Sequence, residues 1–175
     1  MTVTAAHHAI EIAAQVAPRD PATQLRSASA EDDPFVRRLF HAARAADFAA
    51  AGLPQATLDM LLEQQFRAQA TGYAAQFPGA VSLIVQRHDE PVGRLMLLAG
   101  AAGWHIIDLL LLPSARGQAI GTDVIEAVAR AATEAGAHEV TLSVLFNNTG
   151  ARRLYGRLGF VETGGGVHVP MTKHL

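Results

Sequence analysis

The stretch Arg116, Gly117, Gln118, Ala119, Ile120, Gly121, Thr122 carries the residue types of an anion site. It follows the apolar run 109–112 and opens a segment of helical period. A helix N-terminus leaves backbone N–H groups without partners and holds a partial positive charge. A glycine-bearing turn ahead of it lets the backbone approach a phosphate closely. A plain tight turn at a strand–helix junction uses the same residues, so composition alone leaves both readings open. Two phosphate cradles are excluded. A P-loop ends in Gly-Lys-Ser/Thr, and this stretch has no lysine. The dinucleotide fingerprint needs a third glycine and an acid ending the next strand; Ala119 stands where that glycine is expected, and "VTLSV" ends without an acid. With no cysteine, the chain has no disulfide, thiolate ligand or cysteine nucleophile. The histidines are scattered apart from His7 and His8, and their spacing suggests no metal site.

The elements that hold this turn can be read from hydrophobic period. Residues 1–22, broken at Pro18 and Pro21, form a mobile extension or an extra docking helix carrying Ile10, Ile12 and Val16. A strand follows at 24–29. A helix over 31–50 takes Asp33 as cap and Pro34 as its first position. Its stripe is Phe35, Leu39, Ala42, Ala43 and Ala46. A second helix over 57–77 repeats Leu58, Leu61, Leu62, Phe66, Ala70, Tyr73 and Phe77 at helical spacing. Strands at 80–87 and 91–100 flank a turn. A third strand, 104–113, is apolar enough to be buried on both faces. The helix over 119–136 buries Ile120, Val124, Val128 and Ala131, pairs Glu126 with Arg130 outside, and stops at Gly136. A strand at 138–146, a short helix at 148–160 stopped by Gly159, and a strand at 167–174 complete the chain. The order predicts an α/β protein: a mixed sheet with helices on both faces, in a single domain over 23–175.

Strand alternation sets Asp108 beside Ile106, Leu110 and Leu112, an apolar face where burial opposes a carboxylate's charge. That setting suits a general base, and equally an acid that orders water or neutralises an acceptor amine. His105 alternates to the opposite face and reads as a surface residue.

The balance of 14 Lys/Arg against 16 Asp/Glu gives no basic footprint and argues against a nucleic-acid partner. No apolar run reaches the roughly 18 residues of a membrane span. The first residues lack a basic, then apolar, signal pattern. With no cysteine, these features suit a cytoplasmic protein that does not enter membranes.

The segment around 109–121 resembles motif A of the Gcn5-related N-acetyltransferase (GNAT) superfamily, Arg/Gln-x-x-Gly-x-Gly/Ala after a long central strand. "NNTGARRLYGRLGF" resembles that superfamily's Asn-x-x-Ala-x-x-Leu-Tyr-x-x-x-Gly-Phe signature, with Asn148, Ala151, Leu154, Tyr155, Gly159 and Phe160 in register. The resemblance is strongest over 81–173. It implies a mostly antiparallel sheet and an N-acetyltransferase that moves acetyl from acetyl-CoA directly to a primary amine. The acceptor implied is a small molecule; a protein or peptide amine, or a non-catalytic acyl-CoA-binding module, is the alternative. It places the diphosphate on the N–H groups of Gly117, Gln118, Ala119, Ile120, Gly121 and Thr122, with Arg116 and Gln118 at its edge. The pantetheine arm falls on the backbone of Leu109, Leu110 and Leu111, where relatives splay the central strand from its neighbour. Tyr155 matches the acid that protonates the thiolate, or is a core aromatic packed on Phe160. Asn148 caps its helix or binds pantetheine. Gln65, Arg67, Gln69 and Tyr73 could face the acceptor, while Phe66, Ala70 and Tyr73 equally form a core stripe. No metal is implied, and a homodimer is compatible.

Ala119 departs from the family's glycine. The helical period running from it places it in the first turn, where alanine is favoured over glycine by up to about 1 kcal/mol. A positive φ would instead cost alanine roughly 1–2 kcal/mol.

Overall fold

The computed structural model describes residues 3–48 and 52–175. Its helices are α1 (Val3–Gln15), α2 (Asp33–Phe48), α3 (Gln55–Gln76), α4 (Ile120–Glu134) and α5 (Thr149–Arg157). Its strands are β1 (Thr23–Ser27), β2 (Val81–Arg87), β3 (Glu90–Ala99), β4 (Trp104–Leu111), β5 (Glu139–Leu145), β6 (Val161–Glu162) and β7 (His168–His174). The end of the expected 31–50 helix and the side chain of Ala46 lie outside the described residues.

The seven strands form one sheet in the order β1-β2-β3-β4-β5-β7-β6. Every neighbouring pair is antiparallel except β4–β5, which is parallel. On one face the periodic side of α4, with Val124 and Val128 fully buried, packs with Leu83, Val85, Leu95 and Leu97 of the sheet. Helix α1 joins the same core through Ala9 and Ile12, with Val16 just past its end, whereas Ile10 is exposed. On the other face, Phe35 and Leu39 of α2 bury Ile84 and part of Leu110.

Two local expectations are corrected. Asp33 is the first residue of α2 rather than its cap, and a single 3-10 turn over Ala30–Asp32 precedes the helix. Asp32 accepts from the Ser29 N–H at 2.8 Å and from both terminal nitrogens of Arg26 at 2.6 and 2.8 Å. Arg130, expected beside Glu126, donates instead to the Ala17 carbonyl at 2.9 Å and so ties α4 to the segment after α1.

Two irregularities in β4 position everything that follows. Asp108 pairs with Met96 and Ile106 with Leu97, so Ile107 is an extra residue and β4 bulges there. On its other edge, β4 pairs with β5 only at Trp104↔Val140, His105↔Thr141 and Ile106↔Leu142. Beyond that point the two strands part, leaving a wedge between residues 107–111 and 143–145.

Candidate active site

The loop between β4 and α4 closes the wedge. Pro113–Ala115 form a 3-10 turn, and the chain then reverses through two left-handed residues, Gly117 at φ 73° and Ala119 at φ 61°. Ala119 is thus the cap of α4 rather than a first-turn residue, which corrects the expectation from period and leaves alanine in a conformation that disfavours it by roughly 1–2 kcal/mol. The first N–H to close onto the turn is that of Asp123, donating to the Ala119 carbonyl at 3.0 Å. Among the described residues, the amides of Gly117 to Thr122 ahead of it have no backbone acceptor. The side chains of Arg116 and Gln118 brace the loop itself: Arg116 Nε donates to the Leu111 carbonyl at 3.2 Å, and Gln118 Nε2 to the Ser114 carbonyl at 2.8 Å.

The wedge exposes alternate backbone groups of β4. The Leu112 N–H donates to the Val92 carbonyl. By the alternation of an antiparallel ladder, Leu110 then turns its backbone to β3, while Leu109 and Leu111 turn theirs to the gap. Their side chains pack on the α4 core, where a Cβ added at Gly121 would lie 3.5 Å from the Leu111 side chain.

Across the wedge, Asn148 caps α5, its Oδ1 accepting from the Ala151 N–H at 3.1 Å. Tyr155 is half-buried and packs against Phe160 with ring centroids 5.9 Å apart. Burial pushes its hydroxyl above the ordinary phenol range, and the negative charge of Asp108 pushes it further. Arg152 of α5 is bound bidentately to Glu162 at 2.8 and 3.0 Å.

The bulge changes the surroundings expected for Asp108. Met96 and Arg94, its neighbours on β3, face α3, so Asp108 lies opposite Ile106 rather than beside it. It is not in an apolar setting: its Oδ2 accepts from Arg94 Nη2 at 2.8 Å. His105 shares that face and is not a surface residue. Its ring stacks on Phe77 at 5.5 Å, its Nδ1 lies 2.8 Å from Thr141 Oγ1, and burial pushes its pKa down.

Helix α3 roofs this face over a cavity of about 270 Å³. Gln69 and Tyr73 line it, with Phe66, Ala70 and Phe77 as its apolar wall. The stripe read as core is therefore a cavity wall. Gln65 and Arg67 point away, and Arg67 Nε pairs with Glu63 at 2.7 Å. Arg94, Ser82 and Met96, which the sequence reading missed, form the floor. The available signal was a lone arginine inside an otherwise apolar strand. Burial raises the Tyr73 pKa, and Asp108 adds to the rise, so Tyr73 and Tyr155 both sense the same carboxylate. A second cavity, of about 300 Å³, is lined by Gln118, Ala119, Ile120 and Thr122 at the start of α4 together with Arg19, Asp20 and Asp123. There Asp123 fixes the Arg19 and Asp20 amides at 2.9 Å. Among the described residues, no three His, Cys, Asp or Glu side chains gather as a metal site, and no helix is long and apolar enough to cross a membrane.

Residues 40–160, well over half of the chain, match the acetyltransferase (GNAT) family. The N-alpha-acetyltransferase MAK3 of Arabidopsis thaliana is 39% identical over 58 residues, 33% of this chain and 30% of that protein, so the match spans under a third of that relative's length. The PaiA N-acetyltransferase of Thermoplasma acidophilum, solved in complex with coenzyme A, superposes with a TM-score of 0.68 at 16% identity, covering 87% of this chain and 99% of its own. An acetyltransferase of Thermus thermophilus superposes at 0.64 with 23% identity, covering 88% and 97%.

Proposed function

The chain belongs to the acetyltransferase (GNAT) family, and from that premise we propose that it moves an acetyl group from acetyl-CoA to the nitrogen of a small primary amine. The observation that carries the reading is the convergence of three features. The amides of Gly117–Thr122 have no backbone acceptor, the backbone edge of Leu109 and Leu111 has no strand partner, and Tyr155 feels the charge of Asp108 on that same strand.

The residues present fit the donor. Consecutive N–H groups at a helix N-terminus suit a diphosphate. A strand edge without a partner suits the amides of a pantetheine arm. Acetyl-CoA supplies the activated acyl group. The chain must supply a free amine, because a lysine-like amine of pKa about 10.4 is protonated at neutral pH. Asp108 takes that proton, directly or through water, before the nitrogen attacks the thioester carbonyl, and the nitrogen sheds its second proton to solvent as the C–N bond forms. Tyr155 gives its proton to the sulfur as the C–S bond breaks. A phenol held above its usual range keeps that proton across neutral pH and is ready as an acid. Asn148, beyond its capping role, binds the pantetheine arm in this reading.

The partial match to an N-alpha-acetyltransferase favours a peptide N-terminus as the alternative acceptor. Calorimetry with acetyl-CoA, followed by thiol release over a panel of amines and short peptides, tests both. Binding with amine-dependent release is expected. Binding without release for any acceptor would make the protein an acyl-CoA-binding module. No heat with any coenzyme A species would overturn the reading.

A further inference from the structure

The face of β3 and β4 turned to α3 carries a feature that acetyl transfer alone does not require. Arg94 is almost buried, with 11% of its side chain exposed. Among the described residues it donates only to Asp108, from Nη2. Its Nε is fully buried and has no hydrogen-bond partner. A buried donor left without an acceptor is costly, and the planar fork of a guanidinium matches the two oxygens of a carboxylate. Arg94 and Asp108 lie side by side, 2.8 Å apart, as one positive and one negative group. Their complement is a molecule that carries an amine and a carboxylate side by side.

The space next to the pair defines the rest of that molecule. Phe66, Ala70, Tyr73, Phe77 and Met96 give the cavity an apolar, largely aromatic wall. Its volume of about 270 Å³ falls just below the roughly 300–1,000 Å³ of drug-sized ligand sites. It holds one small apolar group.

We infer that the acceptor is a free α-amino acid with an aromatic or apolar side chain: its carboxylate on Arg94, its amine between Asp108 and Tyr155, its side chain under α3. The inference rests on the acetyltransferase reading above. It distinguishes an amino acid from a peptide N-terminus, which has an amide where Arg94 would meet a carboxylate.

The test compares three acceptors with the same ring: phenylalanine, phenylalaninamide and phenethylamine, each with acetyl-CoA, by initial rates of thiol release. The expected kcat/KM for phenylalanine exceeds both others by roughly 10- to 150-fold, the equivalent of a hydrogen bond to a charged group. In R94Q the ratio of phenylalanine to phenethylamine should collapse toward one, whatever happens to the overall rate. If R94Q does not fold, the wild-type ratio decides alone. Equal use of phenylalanine and phenylalaninamide would overturn the inference in favour of a peptide terminus. Phenethylamine used as well as phenylalanine, or a ratio unmoved in folded R94Q, would also overturn it. Thiol release with other amines but none of these three sinks this inference and leaves acetyl transfer standing, whereas failure to bind acetyl-CoA sinks the reading beneath it.

Discussion

Replacing Ala119 with glycine should stabilise the protein, although glycine weakens a helix interior. Ala119 holds φ 61°, in the left-handed region. An L-residue with a Cβ pays roughly 1–2 kcal/mol there. Glycine removes that strain but gains freedom in the unfolded chain, which offsets about 0.4–1 kcal/mol. The net effect of A119G is a gain of roughly 0–1.6 kcal/mol, and at about 2–4 °C per kcal/mol for a chain of this size the midpoint rises by up to about 6 °C. Gly117 provides the mirror experiment. Its φ is 73°, and an added Cβ would meet nothing within 4 Å, so G117A introduces strain without collision. It should lower the midpoint by a similar amount. Calorimetric melting of the unliganded protein reads both. Acetyl-CoA affinity of A119G should be at least that of the parent, because a methyl group leaves the loop. A fall in midpoint for A119G, or a rise for G117A, would refute the strain argument and with it the placement of Ala119 as a left-handed cap.

Y155F removes the proton given to the departing sulfur, and kcat should fall about 10²- to 10⁴-fold while acetyl-CoA affinity measured by calorimetry stays the same; unchanged turnover would leave Tyr155 a packing residue against Phe160. D108N should lower kcat about 10²- to 10⁴-fold, and a variant that keeps the parent's turnover would remove Asp108 as the base. The Arg26 guanidinium holds the Asp32 carboxyl well below the ordinary value of 3.8. A carboxylate with a depressed folded pKa contributes stability that is complete above its unfolded value and is lost as pH falls through the folded one. Stability should therefore hold from neutral pH to about pH 4 and decline below it, with D32N costing about 1–3 kcal/mol at neutral pH and flattening the decline; an identical acid profile for D32N would show the pair adds nothing.

Elements with a sustained period were legible. Helix α4 buries Ile120, Val124, Val128 and Ala131 as its spacing requires, and Gly136 at φ 78° ends the element. Gly159, at φ 88°, likewise ends α5 in the expected place. What escaped was short or set by distant contacts. Strand β6 is two residues, Val161 and Glu162, too few to show alternation, and it exists only because β7 pairs with it. The inward face of α1 uses Ala9 with Ile12, continued by Val16 just past the helix, and no local signal separates the small alanine from the exposed Ile10. Ala119 was misjudged because an apolar period continues through a helix cap: period reports burial, while the sign of φ depends on how the preceding loop reverses.

The bulge at Ile107 had the largest consequence for the site. One extra residue moves every later side chain of a strand to the opposite face. Without it, Asp108 would follow Ile106 into the α4 core, and Arg94, one strand away, would be buried among apolar groups with no partner. With it, Leu109 and Leu111 return to the core beside Gly121, and Asp108 turns to Arg94, a diagonal neighbour across the ladder. Each of these charges interrupts an apolar strand, and neither can be buried alone without a large desolvation cost. Two such interruptions on adjacent strands are best reconciled by a shared face. In a regular ladder they would fall on opposite faces, so the need to pair them is itself an argument for an inserted residue between His105 and Asp108. The two lone charges in "PVGRLMLLAG" and "WHIIDLLLLP" thus pointed to the bulge, and the bulge pointed to the face where the acceptor is expected to bind.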